Sequence, residues 1–222
     1  MRRPYIYGIV GIVVIIAIAG GIAMYQKGPE ATTGVPKTWD EVRTIVLPQL
    51  VQTSAAETFT IASVRLFPDV SMAYAIPQKK GGYILASANE RKGWNVGDDV
   101  LNKQAMANLE HRAKSSDLTV SQVNVNGDSK YITVETQDGF AAARLTLESV
   151  RNRVKKELGE PFIVGIPSRD FLIFWPENFG AAKKFADEVK KVFDGDHEFG
   201  LTPHLLRFSA GKIEVSNDKP SK

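Results

Sequence analysis

Apolar residues along this chain recur at two spacings, and the switches between them predict its elements. Behind Thr38, residues Trp39, Val42, Val46 and Leu50 recur every three to four positions, which predicts a helix over 38–53, bent at Pro48. Thr38 and Glu41 form the T-x-x-E pattern of a capping box at its start. Short β-type runs follow at 61–66, 72–76 and 83–86, the last two joined by a "QKKGG" turn. Asp98 and Asp99 are placed to cap a helix running to about Lys114, with Leu101, Ala105 and Leu109 along one face. Val120, Val123 and Val125, then Tyr131, Ile132 and Val134, flank "NGDS", the strongest hairpin signal in the chain. Leu147, Val150, Val154 and Leu158 predict a helix ended by Gly159.

"PFIVGIPSRDFLIFWPE" (161–177) is two apolar runs separated by polar residues, hence two strands turning at Ser168, Arg169 and Asp170. The run 171–175 is too continuous for an exposed edge, so an inner strand covered by a helix is expected. That helix carries the stripe Phe179, Ala182, Phe185, Ala186, Val189, Val192 and Phe193, and ends near Gly195. "HLLRFSAGKIEV" reads as a closing hairpin. No solenoid-period repeat is present. The expected fold class is α+β: a mainly antiparallel sheet with several packed helices, preceded by one transmembrane helix.

The transmembrane expectation rests on residues 5–25, "YIYGIVGIVVIIAIAGGIAMY", which are 21 residues without a charge. As a helix they reach about 31 Å, enough for a bilayer core. Tyr5, Tyr7 and Tyr25 sit near the ends, where amphipathic rings favour the interface. A cleavable signal peptide would use Arg2 and Arg3 as its basic start and "AIA" (17–19) before the cut. The apolar run continues through Ile22 and Met24, however, and this favours an uncleaved anchor. The basic N-terminus places the single-pass protein in the cell membrane with its C-terminal domain extracytoplasmic. The organisation expected is an anchor over 1–25, a Gly/Pro/Thr-rich linker over 26–37, one α+β domain over 38–217 and a polar tail over 218–222.

Charge and composition narrow the partners. The chain of 222 residues carries +3 formally, but Arg2, Arg3, Lys27 and Glu30 flank the anchor. Without those four, 25 basic residues face 24 acidic ones, so no nucleic-acid partner is expected. There are no cysteines, which removes disulfides, thiolate metal sites and a Cys nucleophile. No cofactor motif is legible, and none is expected.

The candidates for chemistry are Arg144, Ser168, Arg169, Asp170 and His197. A nucleophilic Ser168 would need a positioned base and an oxyanion hole, and no G-x-S-x-G elbow surrounds it. Ser and Asp also populate turns because their side chains bond nearby backbone. Arg169 can clamp an anion with its planar fork, or pair with Asp170 or Glu177. Arg144, behind three alanines and Asp138-Gly139, reads as an anion ligand or as a buried ion pair. Asp194, Asp196, His197 and Glu198 gather oxygen and imidazole donors but lack a metal-ligand spacing and follow a helix end, so no metal site is expected. The pairs Lys155-Lys156, Lys183-Lys184 and Lys190-Lys191 read as solvated helix faces, with acidic headgroups or partners as the other possibility.

Four motifs carry a family resemblance: "AMANLEHRA" (105–113), with Ala105, Asn108 and Leu109 in an A-x-x-N-L core; "DGFAAARL" (138–145), reaching Arg144; "VGIPSRDFLIF", with Pro167 and Asp170; and "HEFGLTPHLLRFSAGKIEV", with His197. In this order, from about Tyr83 to Val215, they resemble the YtpQ family, a bacterial family of unknown function. The likeness covers about 60% of the chain. It departs from the family at Ala141, where the family can carry an acidic residue, and in having an anchor. It implies the order of elements and no reaction.

Two functions follow. The favoured one is a membrane-anchored accessory domain that contacts another protein. The other is a hydrolase or anionic-ligand-binding enzyme using Arg144, Arg169, Asp170 and His197. Convergence of those four side chains in one pocket would favour the enzyme.

Overall fold

A computed structural model describes residues 34–114, 117–124, 128–134, 136, 138–196 and 198–216. The anchor, most of the linker, the first half of "NGDS", His197 and the polar tail lie outside the described residues.

The N-terminal helix expectation is corrected. Only Trp39–Val42 is helical (α1), and Leu47–Gln52 is a strand (β1) followed by a short helix, Thr53–Thr58 (α2). Pro48 has no N–H to give to a helix, and at Pro48 the extended chain pairs across to Tyr74. Apolar residues four apart also fit a strand buried on both faces, as Leu47 to Leu50 are. The capping box at Thr38 and Glu41 forms as expected.

Ser63–Arg65 (β2), Val70–Pro77 (β3) and Tyr83–Leu85 (β4) complete a small antiparallel sheet. β1 lies along one edge of β3, while β2 and β4 follow one another along the other. Ala88–Gly93 (α3) and Asp98–Arg112 (α4) follow. Asp98 and Asp99 do not cap α4: Gly97 does, and the two carboxylates occupy the first turn, where they meet the positive end of the helix dipole. Leu101, Ala105 and Leu109 are fully buried, as their spacing predicted.

Among the described residues, Leu118–Asn124 (β5), Asp128–Val134 (β6), Phe162–Ser168 (β7), Phe171–Pro176 (β8), Leu206–Ser209 (β9) and Lys212–Val215 (β10) form the larger sheet. Its order is β10-β9-β7-β8-β6-β5, antiparallel throughout. A 3-10 helix, Ala142–Thr146, and Glu148–Leu158 (α5) precede β7; Ala182–Gly195 (α6) follows β8.

The two-residue period of β7 and β8 divides the hydrophobic interior. Phe162, Val164, Leu172 and Phe174 join the main core shared with the small sheet, α4 and α5. Ile163, Ile173 and Trp175 face the other way, under Phe179, Phe185 and Val189. β8 is therefore an inner strand covered by α6, and its continuous apolar run is explained. α6 lies close over β7 at Gly165, where an added Cβ would stand 2.6 Å from Val189 Cγ2.

Candidate functional site

The turn between β7 and β8 is tied down on both sides by its own backbone. Arg169 N donates to Phe199 O (3.1 Å) and Leu201 N to Pro167 O (2.8 Å), while Ala142 N donates to Arg169 O (2.9 Å). Ser168 is buried in this arrangement and bridges to Gly200 across the strand end. The turn projects Arg169 sideways. Its Nη1 donates to Tyr83 Oη (2.8 Å) and its Nε to Asp170 Oδ2 (3.3 Å). The guanidinium carbon stands 3.3 Å from the centre of the Phe199 ring, a stacked cation–π contact.

Tyr83 belongs to the small sheet and carries the polar seam inward. Its hydroxyl accepts from Gln49 Nε2 (3.0 Å), whose second N–H goes to Gly139 O (2.7 Å). Gln49 Oε1 accepts from Leu50 N (2.9 Å), so this wholly buried amide has each group partnered. Burial pushes the Tyr83 hydroxyl up in pKa, against the pull of the Arg169 charge and the Gln49 hydrogen bond.

Arg144 ends the seam in the interior, only 2% exposed, on a 3-10 helix whose buried alanines let the backbones approach. Nε donates to Asp117 Oδ2 (3.1 Å), and Nη1 to Asp138 Oδ1 (3.1 Å) and Phe140 O (3.0 Å). Nη2 faces Asp138 Oδ2 at 2.9 Å and Asp117 Oδ2 at 3.0 Å. Every donor thus meets a protein oxygen, and none is left for a ligand. Burial raises the Asp138 pKa, but the hydrogen bonds and charge of Arg144 outweigh it and hold the carboxyl below its usual range.

A pH dependence follows, with a definite sign. A carboxyl depressed in the fold stabilises it above its ordinary value near 3.8, and that contribution is lost as pH falls through the folded pKa. The protein is therefore expected to lose stability below about pH 4. Urea titrations between pH 6 and pH 2 should show a shallower acid loss for Asp138→Asn than for the parent; equal slopes would remove Asp138 from the account.

Of the predicted site residues, Arg144, Ser168, Arg169 and Asp170 are thus brought to one region but not into one pocket, and His197 lies outside the described residues. Arg169 and Asp170 sit together at the surface, and an added Cβ on Gly139 would lie 3.8 Å from Asp170 Oδ1. Arg144 is the buried far end of the same seam. Glu177, the other partner considered for Arg169, pairs instead with Arg207. Of the acidic cluster after α6, Asp196 Oδ1 accepts from Phe199 N (2.9 Å) and Asp194 pairs with Lys190. Among the described residues no group of three or more His, Asp or Glu side chains stands in a metal-binding arrangement. Gln49, Tyr83 and Phe199 were missed as members of the seam. A glutamine inside the apolar run "LPQLV" was the available signal for the first.

The sheet edges differ in how well they are protected. β10 is short and carries Lys212 and Glu214; β2 carries Arg65, paired to Glu57 (2.8 Å); β1 contains Pro48. β5 has seven residues, "LTVSQVN", with no charge and no proline, and among the described residues it pairs on one side only, with β6. Val120 on this strand is 38% exposed.

No family model matches this chain, and no curated protein or solved structure matches it.

Proposed function

We propose that the chain is a membrane-anchored accessory domain that binds another protein, held by residues 5–25 with its folded part extracytoplasmic. The likeness to the YtpQ family belongs to the same proposal. The observation that carries the reading is β5. A long, uncharged edge offers a row of unpaired N–H and C=O groups, and natural edges are usually blunted with charge or proline, as β10 and β1 are here. Strand addition by a partner would supply main-chain hydrogen bonds, with Val120 and its neighbours reading side chains. A photo-crosslinking residue at Val120, activated in intact membranes, should give a discrete product that the same residue at Lys184 does not. Val120→Lys/Gln122→Lys should abolish that product while leaving the circular dichroism spectrum unchanged. Identical products from both positions would end the β5 assignment.

The second reading, an anionic-ligand-binding enzyme, is favoured by one feature: the stacked guanidinium of Arg169, held by Tyr83 and Asp170 at the surface. Its fork is pre-positioned for a carboxylate or phosphate oxygen. The two readings separate on two variants. With Asp170 half exposed, Asp170→Asn should cost at most about 1 kcal/mol and leave partner recovery unchanged. Arg169→Lys should do the same if the turn is structural. If both variants fold normally and both lose the partner, the turn is the binding site and β5 is not.

A further inference from the structure

Residues 26–33 link the expected span to Gly34, and the structure shows where that connection meets the folded domain. Gln78, at the end of the small sheet, grips the Gly34 backbone: Gly34 N donates to Gln78 Oε1 (2.8 Å) and Gln78 Nε2 donates to Gly34 O (3.2 Å). Trp94 Nε1 holds the next turn of chain through Pro36 O (2.9 Å). The start of the domain is therefore fixed beside the β3–β4 turn and the end of α3. With the span ending at Tyr25, nine extended steps of chain allow Gly34 to stand at most about 30 Å from the bilayer.

This face is basic in a particular way. Lys79 and Lys80 are exposed at the tip of the turn that begins with Gln78, Lys37 is exposed three residues after Gly34, and Lys92 is exposed two residues before Trp94. None of the four has an ion-pair partner among the described residues, whereas four acidic side chains nearby are engaged. Asp40 pairs with Arg43, Glu41 with the Thr38 cap, Glu90 with the Ser87 cap, and Asp98 with Arg91. Ile84, in the strand just past the turn, presents an exposed apolar side chain. Unpaired cations and an apolar side chain at the point where an anchor joins a domain are the complement of an anionic bilayer surface.

We infer that this face, carrying Lys37, Lys79, Lys80 and Lys92, docks on anionic lipid headgroups and so sets the orientation of the domain on its membrane. The inference rests on the anchored reading above. Docking also leaves β5 with a definite presentation relative to the bilayer.

The test uses the full chain, reconstituted into vesicles of phosphatidylcholine with and without phosphatidylglycerol. Because the chain has no cysteine, single fluorophores can be attached through Asn89→Cys, one helical turn before Lys92 on α3, and Lys184→Cys, on α6. Headgroup-quencher lipids should quench the first probe in anionic vesicles, less in neutral ones, and should leave the second untouched. Lys79→Gln/Lys80→Gln should lower the docked-to-undocked ratio about twenty-five-fold, at about fivefold per lysine near an anionic surface. Raising the salt should act in the same direction. Quenching at position 89 that is equal in both lipids, or unmoved by the lysine variants, overturns the inference. Carbonate extraction of the same vesicles reports on the anchor separately. A chain that is stripped off ends both ideas, and one that is retained without lipid-dependent quenching ends the docking alone.

Discussion

Arg144→Met is expected to lower the free energy of unfolding by about 3–5 kcal/mol, the cost of removing one partner from a buried ion pair. Arg144 is 2% exposed and bound to two carboxylates and a carbonyl. Truncation leaves Asp138 and Asp117 close together and uncompensated, and that residue of charge, more than the lost attraction, sets the magnitude. Adding Asp138→Leu should therefore recover part of the loss instead of deepening it. Denaturant melts of the single and double variants measure both quantities. A loss under about 1 kcal/mol for Arg144→Met would mean that the network is not holding the fold, and would restore Arg144 as a candidate for ligand contact.

Phe185→Ala is expected to cost a similar amount, about 3–5 kcal/mol, through a different mechanism. The ring fills the space between α6 and the outer face of the large sheet. It meets Tyr131 edge-on at 5.0 Å, Phe179 at 4.9 Å and Trp175 at 5.6 Å between centroids. Its loss leaves a cavity and removes three aromatic contacts, each worth about 0.5–1.5 kcal/mol beyond burial. Because this cluster is separate from the main core, the damage should concentrate on α6. Amide exchange should speed up in α6 well before it does in β3, and the near-ultraviolet signal of Trp175 should weaken. Uniform loss of protection across the chain would show instead that the two clusters unfold as one.

Local features carried most of the fold. The hairpins at 118–134, 162–176 and 206–215 were legible because a turn signal between apolar runs acts within a dozen residues. The faces of α4 and α5 were legible for the same reason. The stretch 38–53 was not, since spacing alone cannot distinguish a helix from a strand buried on both sides. Its pairing with β3, 18 to 28 residues further along, decided the matter.

For the site, the sequence by itself determined the turn at Ser168, Arg169 and Asp170, and it placed Arg144 close behind Asp138. These are short-range facts, set by residue type and position. Only the tertiary structure decided what each side chain does there. Tyr83 reaches Arg169 across 86 residues, Gln49 reaches Gly139 across 90, and Asp117 reaches Arg144 across 27. Such partners leave no periodic trace, because the geometry that joins them comes from the packing of two sheets and not from neighbouring residues. The same packing buried Arg144 among carboxylates and left Arg169, in the turn between β7 and β8, at the surface. Burial, which sets how much an unpaired charge costs, is a property of the assembled core alone.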